Sequence, residues 1–108
     1  MIELDSRERV TFRGQSGKTT IEAKVDSGAA RTSIDHKIAA RIGAGPVTSS
    51  VVVNGEHRRP VATVWVEVGG FDEQLAVSLS DRSERTTMAI LGTDVLEQDG
   101  VTVDVTSD

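Results

Sequence analysis

The chain contains no cysteine, only three aromatic residues and only two prolines among its 108 residues. The lack of cysteine excludes disulfide bonds and thiolate chemistry. No apolar run is long enough for a signal peptide or a membrane span, which by default predicts a cytoplasmic location. Because aromatic side chains are so few, the core must be built from Val, Ile, Leu and Ala, and this composition favours strands over helices.

Basic residues are outnumbered, with 12 Lys and Arg against 17 Asp and Glu and a formal net charge of −5. This balance argues against nucleic acid as a partner and would suit a high-salt cytoplasm. The length allows one compact domain, residues 1–108, with one modest core. Half of the basic residues nevertheless fall in three short segments, as Lys24, Arg31, Arg58, Arg59, Arg82 and Arg85. This clustering indicates a functional role for the group, although any one of these residues taken alone is better explained as an ordinary solvated surface charge.

The first half of the chain predicts a hairpin and a short helix. Apolar and polar residues alternate over residues 8–13 and 19–25, with a Gly-containing turn between them. That turn resembles a phosphate-binding loop, but Phe12 occupies the position of the first required glycine, so nucleotide binding is rejected. Asp35 is predicted to cap a helix over residues 36–42, which Gly43 ends.

The second half predicts further strands. Residues 47–53 and 59–68 form two of them, joined through Asn54 and Gly55, a strong hairpin signal. This hairpin would project as a flap over a functional site, with Asn54 and Gly55 at its tip, or would be a plain surface hairpin. Alternation also predicts strands over residues 74–79 and 101–105.

A strand that delivers Asp-Ser-Gly-Ala into a tight turn, at residues 25–29, is the most informative motif. Alone it is typical of an Asx turn, in which Asp caps its own backbone. The segment MAILGTDVL at residues 88–96 changes that interpretation, because aspartic peptidases pack such a segment behind a catalytic Asp turn. Activating water needs two carboxylates that share a proton. The motif occurs once, so the second carboxylate would come from a second copy of the chain.

The chain resembles the retropepsin-like aspartic peptidase clan through AKVDSGAARTS at residues 23–33, RRPV at 58–61, LSDRS at 79–83 and ILGTDVL at 90–96. Within the clan it is most similar to small bacterial and archaeal proteins labelled ATP-dependent zinc proteases. The resemblance implies an all-β, small closed β-barrel-like acid-protease fold with one or two short helices, assembled as a homodimer. It also implies a functional link to RimK-type ATP-grasp ligases, which add glutamate to ribosomal protein tails.

The sequence departs from that family pattern at several positions. Ser27 replaces the commoner Thr, one extra residue precedes Arg31, and Thr93 stands where Arg is usual. The zinc label finds no local support, because there is no His-Glu-x-x-His and the only imidazoles are His36 and His57. We therefore expect no metal and no cofactor.

The resemblance assigns roles to two groups of residues. Asp26 is the catalytic carboxylate, supported in its loop by Ser27, Gly28 and Ala29. The strand of Ile90, Leu91 and Gly92 is expected to pack beneath the turn as structural support. Asp94 is expected to cap the following helix or to meet solvent.

Basic residues near the motif predict an acidic substrate, such as a poly-glutamate tail. The expected binding residues are Lys24, Arg31, Arg59 and Arg82, since Arg pairs with carboxylates in a bidentate manner. Lys24 shares a strand face with Asp26. If the Lys24 ammonium lies near Asp26, it works against a proton shared between the two carboxylates of the dimer. The alternative is that Lys24 faces solvent.

Three hypotheses follow for the function. The first is a homodimeric aspartic endopeptidase that hydrolyses glutamate-rich or acidic peptides. The second is a catalytically silent module of the same fold that binds an acidic partner, because folds are reused without their chemistry. The third and weakest is a metal-dependent hydrolase with Asp26, Asp81 and His57 as ligands.

Overall fold

The computed structural model describes residues 2–4, 7–52, 57–97 and 101–103, with side chains for residues 7–48 and 60–97. These residues form two short helices, α1 (His36–Ile42) and α2 (Thr93–Leu96), neither of which could cross a membrane. The strands among them are β1 (Ile2–Leu4), β2 (Arg7–Arg13), β3 (Lys18–Val25), β4 (Ser33–Asp35), β5 (Val47–Val52), β6 (His57–Val68), β7 (Phe71–Ser80), β8 (Ala89–Leu91) and β9 (Val101–Val103).

Six strands close into a small barrel. They follow the order β2-β3-β8-β4-β7-β6, and β2 also pairs with β6, which joins the two ends of the sheet. Strand β5 extends the sheet beyond β6, and β1 pairs in parallel with β9 in a separate two-stranded sheet. The fold is therefore all-β with two short helices, as the sequence predicts.

The barrel interior is filled by aliphatic side chains and one phenylalanine. On β2, Val10 and Phe12 point inward and are fully buried, whereas the residues that alternate with them are exposed or half-buried. Ile34, Ile42 and Leu91 are also almost fully buried. This is the core of Val, Ile, Leu and Ala that the shortage of aromatic residues predicts.

Local signals predict most of these elements. The expected hairpin is formed by β2 and β3, whose turn is closed by a 2.8 Å bond from the N–H of Gly14 to the carbonyl of Gly17. The second predicted hairpin consists of β5 and β6. Its tip, Asn54 and Gly55, lies outside the described residues, so the flap stays a prediction. Strands β1 and β4, of three residues each, were not predicted.

Helix α1 begins and ends where the sequence indicates. The Asp35 carboxylate accepts a 2.8 Å hydrogen bond from the N–H of Lys37 as an N-cap. Gly43 ends the helix with φ of 70°, in the left-handed region that glycine adopts without strain. The cap thus fixes the direction in which the chain leaves β4.

Asp35 also holds a segment that is distant in sequence. Its second carboxylate oxygen accepts a 2.8 Å bond from the N–H of Arg82, just after β7, and the side chain is fully buried. Burial alone would raise the pKa of Asp35, but the N–H groups of Arg82 and Lys37, with His36 nearby, hold the pKa below its usual value. The carboxylate therefore stabilises the fold in its ionised form.

We expect Asp35→Asn to lower the free energy of unfolding by about 2 kcal/mol, or Tm by about 10 °C, because the charge is lost and the NH2 group of Asn faces one of the two buried N–H groups that the carboxylate accepts. A lowered folded pKa gives stability that is complete above the unfolded value of 3.8 and is lost as the pH falls through the folded value. Tm measured from pH 7 to pH 2 should therefore converge for the wild type and the variant in acid. A constant difference at all pH values would contradict this role.

Candidate active site

The Asp26 turn follows directly on β3. The N–H of Asp26 donates to the carbonyl of Leu91 on the parallel strand β8 at 3.0 Å. One Asp26 carboxylate oxygen accepts the N–H of Gly28 at 2.9 Å, and the Asp26 carbonyl accepts the N–H of Ala29 at 3.1 Å. The carboxylate is thus oriented by its own loop and half-buried, while Ser27 and Gly28 are exposed beside it.

Gly92 lies directly beneath this loop. A Cβ atom at Gly92 would lie 2.7 Å from both the Ala29 carbonyl oxygen and the Arg31 carbonyl carbon, closer than real contacts allow. The Ala29 carbonyl in turn accepts the N–H of Thr93 at 2.8 Å. Two backbone segments therefore pack together without an intervening side chain, and Leu91 beside them is fully buried.

Ile90 has a different position from the one expected. Along β8 the side chains of Leu91 and Ile90 point to opposite faces, and Ile90 faces a cavity next to Asp26 instead of packing beneath the turn. Of the predicted support residues, Leu91 and Gly92 thus lie under the loop and Ile90 lines the space above it.

Thr32 and Asp94 lock the loop from its other end. The Asp94 carboxylate accepts the N–H of Thr32 at 2.9 Å and its hydroxyl at 2.6 Å, and the Thr32 hydroxyl oxygen accepts the N–H of Gly92 at 3.1 Å. Asp94 is half-buried, and its bonds to Thr32 were not predicted from the sequence. A buried hydroxyl needs partners, and the carboxylate on the first turn of α2 supplies one.

A cavity of about 760 Å³ opens beside Asp26. Part of its lining is a single row of residues on four adjacent strands, which the strand registers place side by side: Lys24, Ile90, Ser33 and Ser78. The rest comes from the Asp26 loop and from the segment after β7, namely Asp26, Gly28, Ala29, Ala30, Arg31, Arg82, Glu84, Arg85 and Thr86.

The cavity carries more positive than negative charge, although the whole chain is acidic. Its four basic residues are Lys24, Arg31, Arg82 and Arg85, against the carboxylates of Asp26 and Glu84. Lys24 is exposed and shares this cavity with Asp26. Three of the four residues expected to bind an acidic substrate are thus brought together. The fourth, Arg59, lies on β6 with its side chain outside the described part of the chain.

Arg82 is fixed within the cavity wall. Its side chain is only 8% exposed, and its guanidinium donates to the Thr87 carbonyl at 2.9 Å and to the Thr87 hydroxyl at 3.3 Å. Burial, with Arg85 nearby, lowers its pKa, although a guanidinium stays protonated. Among the described residues no carboxylate forms an ion pair with it. Sequence patterns gave no sign of this burial, because arginine is usually exposed.

The metal hypothesis named Asp26, Asp81 and His57 as ligands. Asp81 does not line the cavity with Asp26, and the side chain of His57 lies outside the described residues. Asp81 instead lies near Asp35 and His36, with donor atoms within 4.8 Å of one another. Both Asp35 oxygens already accept backbone N–H groups. The backbone N–H and hydroxyl of Ser83 bond Asp81 and lower its pKa, so we assign no metal to this group.

Comparison with known proteins identifies the fold. No family model and no curated protein sequence matches the chain. Among solved structures, it is similar to a Legionella pneumophila protein of unknown function (DUF785), with a TM-score of 0.67, 19% identity and coverage of 95% of this chain and 92% of the other. It is also similar to EIAV protease in complex with the inhibitor HBY-793, with a TM-score of 0.65, 18% identity and coverage of 92% and 91%.

These similarities extend over nearly the whole barrel, so the chain has the retropepsin-like fold. At identities below one fifth they concern architecture alone. What the chain does must be argued from the Asp26 loop and its cavity.

We expect Gly92→Ala to lower the free energy of unfolding by about 2 kcal/mol and to displace the Asp26 loop, because the added methyl group meets backbone that cannot move aside. Gly17→Ala is the matched control, since a Cβ atom there has no neighbour within 4 Å. Chemical denaturation of both variants provides the measurement. Equal stability of the two would show that the contact beneath the loop is not tight.

Proposed function

We propose that the chain is a homodimeric retropepsin-like aspartic peptidase, in which Asp26 of each protomer acts on one water molecule. The observation that carries this proposal is the Asp26 carboxylate, held by the N–H of Gly28 at 2.9 Å and lining a cavity of about 760 Å³. An oriented carboxylate at the edge of a peptide-sized space is what water activation requires. The similarity to EIAV protease supports the fold on which this reading depends.

The chemistry divides between two identical carboxylates. One Asp26, ionised, takes a proton from water, and the other, protonated, donates one to the substrate carbonyl or to the leaving nitrogen. Ser27 hydroxyls would bond across the dimer axis and hold the two loops together. Ala29 is small enough to leave room for the substrate backbone.

A second chain is needed because one cavity does not supply both carboxylates from oriented loops. Among the residues that line it, the other carboxylate is Glu84, which is exposed on the segment after β7. No second Asp-Ser-Gly sequence occurs in the chain. A partner that brings its own Asp26 completes the pair.

The substrates we propose are acidic peptides. Lys24, Arg31 and Arg85 present cations to the cavity, and the buried guanidinium of Arg82 lacks an ion-pair partner among the described residues. A substrate carboxylate would complement these charges. The resemblance to the family labelled ATP-dependent zinc proteases suggests the tails made by RimK-type ATP-grasp ligases as one such substrate, and Arg59 would add a further contact.

One observation favours a second candidate function. Lys24 lines the same cavity as Asp26, so a cation able to pair with an acidic partner lies beside the carboxylate. A module that has kept the fold and the basic cavity but not the hydrolysis would bind an acidic partner without cleaving it.

Peptidase activity predicts that Asp26→Asn abolishes cleavage, by at least about 10³-fold in kcat, while the variant still folds and dimerises. The measurement is cleavage of glutamate-rich and apolar peptides from pH 4 to pH 8, with sedimentation to follow the dimer. A chelator should change nothing. Cleavage that survives Asp26→Asn would contradict the proposal, and binding without cleavage by the wild type would favour the silent module.

Acidic specificity predicts that Arg85→Glu raises KM for a glutamate-rich peptide about tenfold, because an exposed cation of the cavity becomes an anion. An apolar peptide of equal length should be cleaved as before. Lys37→Glu is the control, since it makes the same change of sign on α1 outside the cavity lining. Equal effects of the two substitutions would mean that net charge, and not the cavity, sets the preference.

A further inference from the structure

The outer surface of the β2–β3 hairpin is a second concentration of positive charge. Inward residues of β2 alternate with exposed Arg7, Arg9 and Arg13, and β3 exposes Lys18 and Lys24 on the same side. We call these five residues the basic face. They are five of the 12 basic residues of a chain whose formal net charge is −5.

The strand register places like charges opposite each other on this face. Arg7 is paired with Lys24, and Arg13 with Lys18. Like charges directly opposite on antiparallel strands destabilise the sheet. These two pairs therefore cost stability.

The carboxylates of the described residues neutralise the basic face only in part. The single ion pair there joins Arg7 to Glu22 at 3.2 Å, and both side chains are about half exposed, at 49% and 55%. Such a surface pair contributes little. Arg9 lies opposite the same Glu22, and the exposed Glu67 on β6 lies opposite Thr11, between Arg9 and Arg13. Two carboxylates thus share this face with five basic side chains.

The basic face is continuous with the cavity. Lys24 belongs to both, since it lines the cavity beside Asp26 and lies opposite Arg7. From Arg7 the face runs along β2 for six residues to Arg13, which is about 20 Å of extended chain. At its far end the Arg13 guanidinium lies 5.3 Å from the centre of the Trp65 ring, which is 40% exposed.

We propose that the basic face is an exosite that binds an acidic stretch of the same peptide whose cleaved part occupies the cavity. This inference rests on the proposed function and extends its substrate beyond the cavity. An extended peptide repeats its side chains on one face at the interval that separates Arg7 from Arg9 on β2. Carboxylates of such a peptide would meet Arg7, Arg9 and, beyond Thr11, Arg13, and would relieve the like-charge pairs.

The test uses Lys18→Glu, which lies far from Asp26 along the hairpin. The substitution turns the Arg13–Lys18 pair into one of opposite charge and leaves the contact of Arg13 with Trp65 in place. Tm should therefore stay the same or rise. A glutamate-rich peptide long enough to reach about 20 Å beyond the cavity should nevertheless bind about tenfold more weakly. A loss of affinity without a loss of Tm would show that Lys18 binds the peptide and does not merely stabilise the fold.

Binding is measured in the Asp26→Asn background so that the peptide is not consumed, with a short glutamate-rich peptide that fills only the cavity as the comparison. The short peptide should bind equally to both proteins, and the advantage of the long peptide should shrink as salt is raised. Lys37→Glu controls for net charge. A long peptide that binds no better than the short one, or loses as much affinity with Lys37→Glu, would overturn the exosite.

Two further outcomes keep the hypotheses apart. If an oligonucleotide of the same charge binds as tightly and loses the same affinity with Lys18→Glu, the face is not a peptide exosite. If the long peptide binds as expected but the wild type never cleaves it, the exosite stands and the peptidase proposal fails. If the wild type cleaves short peptides but Lys18→Glu does not weaken binding of the long peptide, the peptidase proposal stands and the exosite fails.

Discussion

The geometry of the site depends on the hydrogen bonds that join Thr32, Gly92 and Asp94. They tie the end of the Asp26 loop to the start of α2, across 62 residues of sequence. Because Gly92 has no side chain, the two backbones approach closely enough for these bonds to form. The loop is consequently held at both ends: Asp26 bonds the carbonyl of Leu91 on β8, and Thr32 bonds the carboxylate of Asp94. The carboxylate of Asp26 therefore lies on a loop whose two ends are fixed.

The same barrel presents its charges unevenly. An acidic chain has gathered Lys24, Arg31, Arg82 and Arg85 around one cavity, and more basic residues along the adjoining hairpin. The cavity and the basic face of the hairpin meet at Lys24, which lies on β3 two residues before Asp26. Strand β3 therefore positions the carboxylate and also joins the cavity to the surface outside it.

Sequence reasoning predicted the features that local patterns encode. Alternation indicated β2 and β3, and the Asp35 and Gly43 signals bounded α1 correctly. It missed β1 and β4, because three residues carry no periodicity. The contact of Asp94 with Thr32 and the burial of Arg82 depend on residues that only the closed barrel brings together. The position of Ile90 at the cavity depends on the alternation of side chains along β8, which turns Leu91 into the core.

The position of Arg82 links occupancy of the cavity to folding itself. Its guanidinium is almost fully buried, so the unfavourable free energy of burying a cation is part of the folded state. An anion that pairs with it offsets that free energy in the folded chain and not in the unfolded one. By thermodynamic linkage, an anion that binds at Arg82 would therefore also raise the resistance of the chain to denaturation.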